Sequence, residues 1–105
     1  MSEARKIDFD AIAWNSPAPG IRSRAFTHFG KQVRLLEITR DFVEEDWCLK
    51  GHAGYVIEGE LEIDFDGETI IYRAGDGLLI QPGESSRHKP KAVSQVVKLF
   101  FVEDC

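Results

Sequence analysis

Apolar and polar residues alternate strictly from Glu60 to Phe65, with Leu61, Ile63 and Phe65 in one phase and Glu60, Glu62 and Asp64 in the other. A period of two sends alternate side chains to opposite faces, so this segment predicts a strand with one buried and one wet face. The stretch "AGYVIEG" before it reads as a partner strand, and Asp66-Gly67 after it supplies the two positive-φ residues of a tight hairpin turn. "ETIIYRA" then returns, "GDGLLIQPG" makes a further strand, and "SQVVKLFFVE" closes the pattern. Upstream, "IRSRAFTHF" and "QVRLLEITRDF" flank "GK" as another strand pair. "NSPAPG" at 15–20 reads as a loop from its two prolines and glycine, and "KIDFDAIAW" as either an opening strand or one helical turn.

About eight to ten short strands, separated by turn residues and unaccompanied by an amphipathic helix, predict an all-β chain. With no helix to cover a sheet, the sheet is expected to close on itself as a sandwich or barrel. A barrel this small encloses packed side chains or one small ligand. The nearly unbroken apolar run "VVKLFFV" predicts a strand covered on both faces, in part by a second subunit, hence a homodimer.

The length of 105 residues accommodates one core, with residues 1–20 as an arm and loop and 21–105 as the domain. A net charge of −5 argues against a nucleic-acid surface, which needs a basic stripe. The one basic cluster, "RHKPKA" at 87–92, is short, broken by proline, and reads as a solvated loop. No apolar run approaches the length of a membrane span and "MSEARKIDFD" lacks a signal-peptide core, so a cytoplasmic location is expected. Two cysteines make no disulfide framework; Cys105 is expected to be a free, frayed thiol, which leaves Cys48 as the informative one.

The segments around Gly59, Gly75 and Gly83 resemble the cupin superfamily, small jelly-roll barrels (double-stranded β-helices) marked by two motifs. The first runs G-x5-H-x-H, three or four residues, E-x6-G; the second runs G-x5-P-x-G-x2-H-x3-N. Gly59 matches the closing glycine of the first, within "YVIEGELEI", and Gly75 and Gly83 match the glycines of the second, within "AGDGLLIQPGE". The resemblance implies a single-domain jelly-roll β-barrel over about residues 30 to 102 and a pocket for a small molecule. It places Asp46 and Cys48 in the slots of the paired histidines, His52 in that of the glutamate, and Ser86 in that of the last histidine. Gln81, Arg40 and Pro90 also depart from the motifs. No ligand slot holds its usual residue, so iron-oxygenase chemistry does not transfer.

On their own chemistry these residues support several readings. Strand parity turns Asp46 and Cys48 to one side, and likewise Ser86 and His88. Cys48, His52 and His88, with Asp46 or water as a fourth ligand, make a tetrahedral set in which the thiolate favours zinc or a nickel-like ion. A metal-free isomerase or epimerase would instead use His52 as its base, oriented by Asp46 or Glu45. Lys50 and Arg87, expected at the barrel mouth, would recognise an anionic ligand, with Asp46 and Ser86 also lining the pocket. A binding protein without catalysis and an interaction module built on the aromatic last strand complete the alternatives, since one scaffold hosts many functions.

Overall fold

The computed structural model describes residues 5–104. Cys105 lies outside them. A single 3-10 turn, Phe9–Ala11, opens the described chain and resolves the choice left open for that segment. Nine strands follow: β1 (Asn15–Ala18), β2 (Ile21–His28), β3 (Lys31–Thr39), β4 (His52–Glu58), β5 (Glu60–Asp64), β6 (Thr69–Arg73), β7 (Gly77–Ile80), β8 (Lys89–Ala92) and β9 (Val96–Asp104). They form a six-stranded sheet, in the order β1-β2-β3-β9-β4-β7, and a three-stranded sheet, β6-β5-β8.

The alternation in 60–65 does what its period requires. Leu61 and Ile63 are almost wholly buried while Glu60, Glu62 and Asp64 keep contact with water. Asp66 and Gly67 both take positive φ, at 60° and 122°, and turn β5 into β6. Gly59 carries the chain from the larger sheet to the smaller one at a φ of 89°; a Cβ there would lie 2.3 Å from the Val96 carbonyl oxygen, so only glycine fits. Between the sheets, Leu36 and Ile38 of β3 and Val97, Leu99 and Phe101 of β9 meet Leu61 and Ile63 of β5.

Three expectations need correction. The sheets are not closed into a barrel: no ladder of hydrogen bonds joins the six-stranded sheet to the three-stranded one. They pack instead through side chains, and one backbone bridge, between Cys48 and His88, ties the segments that lead into β4 and β8. Pro17 on the edge strand β1 and Pro90 on the edge strand β8 each lack the N–H that a further partner strand would use. Residues 15–18, expected as a loop, pair with β2 through an irregular register, a position at a sheet edge that tolerates proline. The "RHKPKA" cluster is not a solvated loop either, because 89–92 form β8 against β5 and His88 is buried.

The outer face of the larger sheet is unusual for an antiparallel sheet, whose solvent side is ordinarily polar. Cross-strand registers line up Val33, Val102, Ala53 and Leu79 in one rank and Leu35, Phe100 and Tyr55 in the next. Leu79 is 87% exposed and Tyr55 49%. Within one chain the run "VVKLFFV" thus has one fully buried phase and one half-exposed phase.

Candidate metal centre

Register builds this site. The ladder of β3 with β9 sets Gln32 opposite Glu103, and the pairing of Ala53 with Val102 sets His52 on the other side of Glu103. One rank of the inner face therefore carries Gln32, Glu103 and His52, with Arg34 two residues along β3. Glu103 accepts from Arg34 Nε at 2.7 Å, Arg34 Nη2 at 2.9 Å and Gln32 Nε2 at 3.0 Å, and His52 donates its Nδ1–H to the same carboxylate. That hydrogen bond fixes the histidine tautomer and leaves Nε2 facing inward, 3.8 Å from Cys48 Sγ.

The other two donors arrive from outside regular strands. Cys48 and His88 exchange both backbone hydrogen bonds, at 2.9 and 3.0 Å, which puts their side chains side by side although 40 residues separate them. The Nδ1–H of His88 donates to the Ser86 carbonyl at 2.9 Å, so its Nε2 carries the lone pair. That Nε2 is buried without a hydrogen-bond partner. The ligand atoms of Cys48, His52 and His88 lie within 4.8 Å of one another. Tetrahedral zinc needs about 3.4–3.6 Å between such atoms, so a contraction of about 1.4 Å at most would close the set.

Packing holds the rings in place. Phe101 stacks on His52 with ring centres 4.8 Å apart, and His88 meets His52 edge-on at 5.2 Å. Gly54 makes the first contact possible, since a Cβ there would lie 2.4 Å from the Phe101 ring.

The electrostatics favour a thiolate. The hydrogen bond with His52, and then the nearby His88 ring, outweigh burial and lower the Cys48 thiol from 9.0 to about 6. Burial works against a charged His52, yet hydrogen bonds with Cys48 and Glu103 hold its pKa above the ordinary value. Burial would likewise raise Glu103, but the hydrogen bonds from His52 and Arg34 bring it down to about 2. Cys48 is therefore largely thiolate at pH 7, the form that binds metal.

The remaining residues singled out from the sequence fall elsewhere. Asp46 is exposed and outside the cluster, because 43–51 is mostly irregular and strand parity does not carry across it. Glu45 is exposed too, and the residue that orients His52 is Glu103. Ser86 contributes its backbone carbonyl within a 3-10 turn. Lys50 is exposed at an outer groove beside Leu49 and Leu79. Arg87 is engaged by Asp66 at 2.9 Å and lies over Trp47. The sequence reading missed Glu103, Arg34 and Gln32. Their signal was present: Glu103 shares the phase of Leu99 and Phe101, and Arg34 that of Leu36 and Ile38, so each puts a polar group on an apolar face.

Beside the cluster lies a cavity of about 90 Å³, lined chiefly by aliphatic and aromatic side chains of both sheets, with Arg34 and Glu44 as its other charged neighbours. Among the described residues no fourth protein ligand joins the three. Three ligands beside a cavity are the pattern of a site with an open coordination position.

Comparison with known proteins places this geometry in context. No curated protein matches the sequence. Similar solved structures include KdgF from Halomonas sp., at 19% identity with 91% of each chain covered and a TM-score of 0.73. A cupin-2 domain containing protein from Shewanella frigidimarina is 26% identical over 79% of each chain, with a TM-score of 0.64. An RmlC-like cupin from the same organism is 15% identical over 98% of this chain and 91% of its own, with a TM-score of 0.72. The sequence pattern of the cupin domain matches residues 50–103, just over half of the chain. The chain belongs to the cupin-domain family.

Proposed function

We propose that the protein is a metal-dependent enzyme of the zinc type, with Cys48, His52 and His88 holding one divalent ion and a small molecule entering the adjoining cavity. The carrying observation is the unpartnered Nε2 of His88, buried within 4.8 Å of the ligand atoms of Cys48 and His52. A buried polar nitrogen without a partner is costly, and a metal removes that cost. One thiolate and two imidazoles favour zinc over magnesium or manganese. When bound, such an ion supplies Lewis-acid polarisation of a substrate oxygen.

The chain's own residues supply the rest. Glu103 orients His52 and is itself held by Arg34 and Gln32. The walls are chiefly apolar, which lowers the local dielectric and strengthens each charge interaction beside them. Glu44 is the one carboxylate among the cavity-lining residues, and it is half-buried. It is the group placed to take up or return a proton, so isomerisation by proton transfer is the reaction class favoured here. His52 is a ligand and not the base in this reading, since both of its ring nitrogens are committed.

Elemental analysis of tag-free protein is expected to find one equivalent of zinc or a similar ion, and less than a tenth of that in His88→Ala. Protein that takes up no metal after dialysis against zinc would overturn the reading.

We also propose that a second copy covers the outer face of the larger sheet. Its apolar ranks are bordered by charges already paired within the chain, Lys31 with Asp104 at 2.6 Å and Arg22 with Glu37 at 2.8 Å, so it offers little to a charged partner. Four strands span about 19 Å, and with β3 and β9 about 30 Å long and β7 about 13 Å the flat face is about 400–500 Å² per copy, at the small end of dimer interfaces, so the association is expected to depend on concentration. Two such faces are self-complementary across a two-fold axis. Sedimentation equilibrium is expected to give a dimer, and a Leu79→Glu monomer with an unchanged circular-dichroism spectrum. A monomeric parent protein at 100-fold dilution series start and end alike would sink this.

A further inference from the structure

We infer that the ligand of this site is a short aliphatic compound with a single monoanionic oxygen-donor head, and not a polyhydroxylated sugar acid. The inference rests on the metal reading above and names the substrate class for it.

Size comes first. An apolar cavity of about 150 Å³ takes a body the size of benzene, so one of about 90 Å³ encloses about four carbons. The head would sit at the metal end and the body among Leu36, Ile38, Leu99 and their neighbours.

Polarity decides the next point. Apart from the three ligand residues, the lining offers Arg34 and Glu44 as its only charged side chains, and the rest is aliphatic, aromatic or proline. Arg34 is not available to a ligand hydroxyl through Nε or Nη2, because both donate to Glu103. A hydroxyl carried into this cavity loses its water partners and gains few in return. Apolar pockets discriminate against such a group by about a hundredfold.

Charge sets the head group. A divalent ion with one thiolate and two neutral imidazoles carries a net charge of +1, and the Glu103 carboxylate is balanced by Arg34. One negative charge on the ligand therefore neutralises the site. A second would stand uncompensated in a cavity already lined by Glu44.

The test uses the whole chain loaded with Co²⁺, titrated with straight-chain monocarboxylates from acetate to octanoate and with gluconate as the hydroxylated counterpart of hexanoate. Binding is read from the cobalt d–d absorption and from calorimetry. The expected result is an affinity maximum at four to six carbons, at least tenfold weaker binding of octanoate, and gluconate weaker than hexanoate by more than a hundredfold. In Leu99→Ala, which enlarges the cavity, the maximum should move to a longer chain. Gluconate binding as well as hexanoate, or affinity independent of chain length, would overturn the inference while leaving the metal reading intact. A protein with no cobalt spectrum would overturn both.

Discussion

Cys48→Ser is expected to lower zinc affinity by more than a hundredfold and to remove the thiolate-to-metal charge-transfer band from the cobalt-loaded protein. Cys48 is the only anionic member of the ligand set. An ordinary thiol, with its pKa near 9.0, is only about 1% ionised at pH 7, whereas Cys48, at about 6, is already mostly thiolate. Metal still displaces one proton, because the thiolate raises the pKa of His52, whose Nε2 must be free to bind. Serine does not ionise in this range, so the variant loses the anionic, soft donor outright. Its residual preference should move towards harder ions. A charge-transfer band that survives in Cys48→Ser, or zinc affinity within a factor of three of the parent, would remove Cys48 from the site.

Glu103→Gln should show two separate losses. In metal binding, a histidine without its carboxylate partner loses orientation and basicity, and affinity is expected to fall 10–100-fold. In the metal-free protein, stability should fall by about 3 kcal/mol at pH 7, which corresponds to about 15 °C in Tm for a domain of this size. That figure follows from the lowering of Glu103 from 4.5 to about 2 in a side chain that is 6% exposed. Because the folded-state pKa is depressed, the stabilisation is present in full above about pH 5 and fades as pH falls towards 2. Glu103→Gln should therefore flatten the acid limb of the stability curve, a change that a purely steric effect would not produce. An unaltered acid limb would mean that the Arg34–Glu103–His52 chain contributes nothing to the fold.

The two variants also separate roles. Cys48→Ser acts on the ligand set and should leave the acid limb as it was. Glu103→Gln should retain the charge-transfer band at saturating cobalt, because Glu103 acts through His52 and does not touch the ion.

Strand content was legible from the chain because a strand's pattern is local. Leu61 and Ile63 alternate with Glu60 and Glu62, Asp66-Gly67 turns the chain, and these signals need no knowledge of distant residues. The glycine framework around Gly59, Gly75 and Gly83 pointed to the cupin family for the same reason. Where the pattern was read beyond its range it failed. Parity from Cys48 to Asp46 assumed a strand where the backbone is irregular, and Asp46 is at the surface. The prolines of 15–20 and 87–92 were read as loops, though a sheet edge accepts proline when only one side of the strand must pair.

By itself the sequence determined an all-β chain, its turns, its family, and Cys48, His52 and His88 as the residues with ligand chemistry. Tertiary structure alone decided that the sheets stay open, that Asp46 is absent from the cluster, and that Glu103 serves His52 from 51 residues away. The reason is physical. Turns and alternation are set by dihedral angles and the next few side chains, whereas ligand convergence depends on which strands become neighbours and in what register. That register is fixed by the summed burial of Leu36, Ile38, Leu99 and Phe101 against the second sheet, a quantity no short stretch of the chain contains.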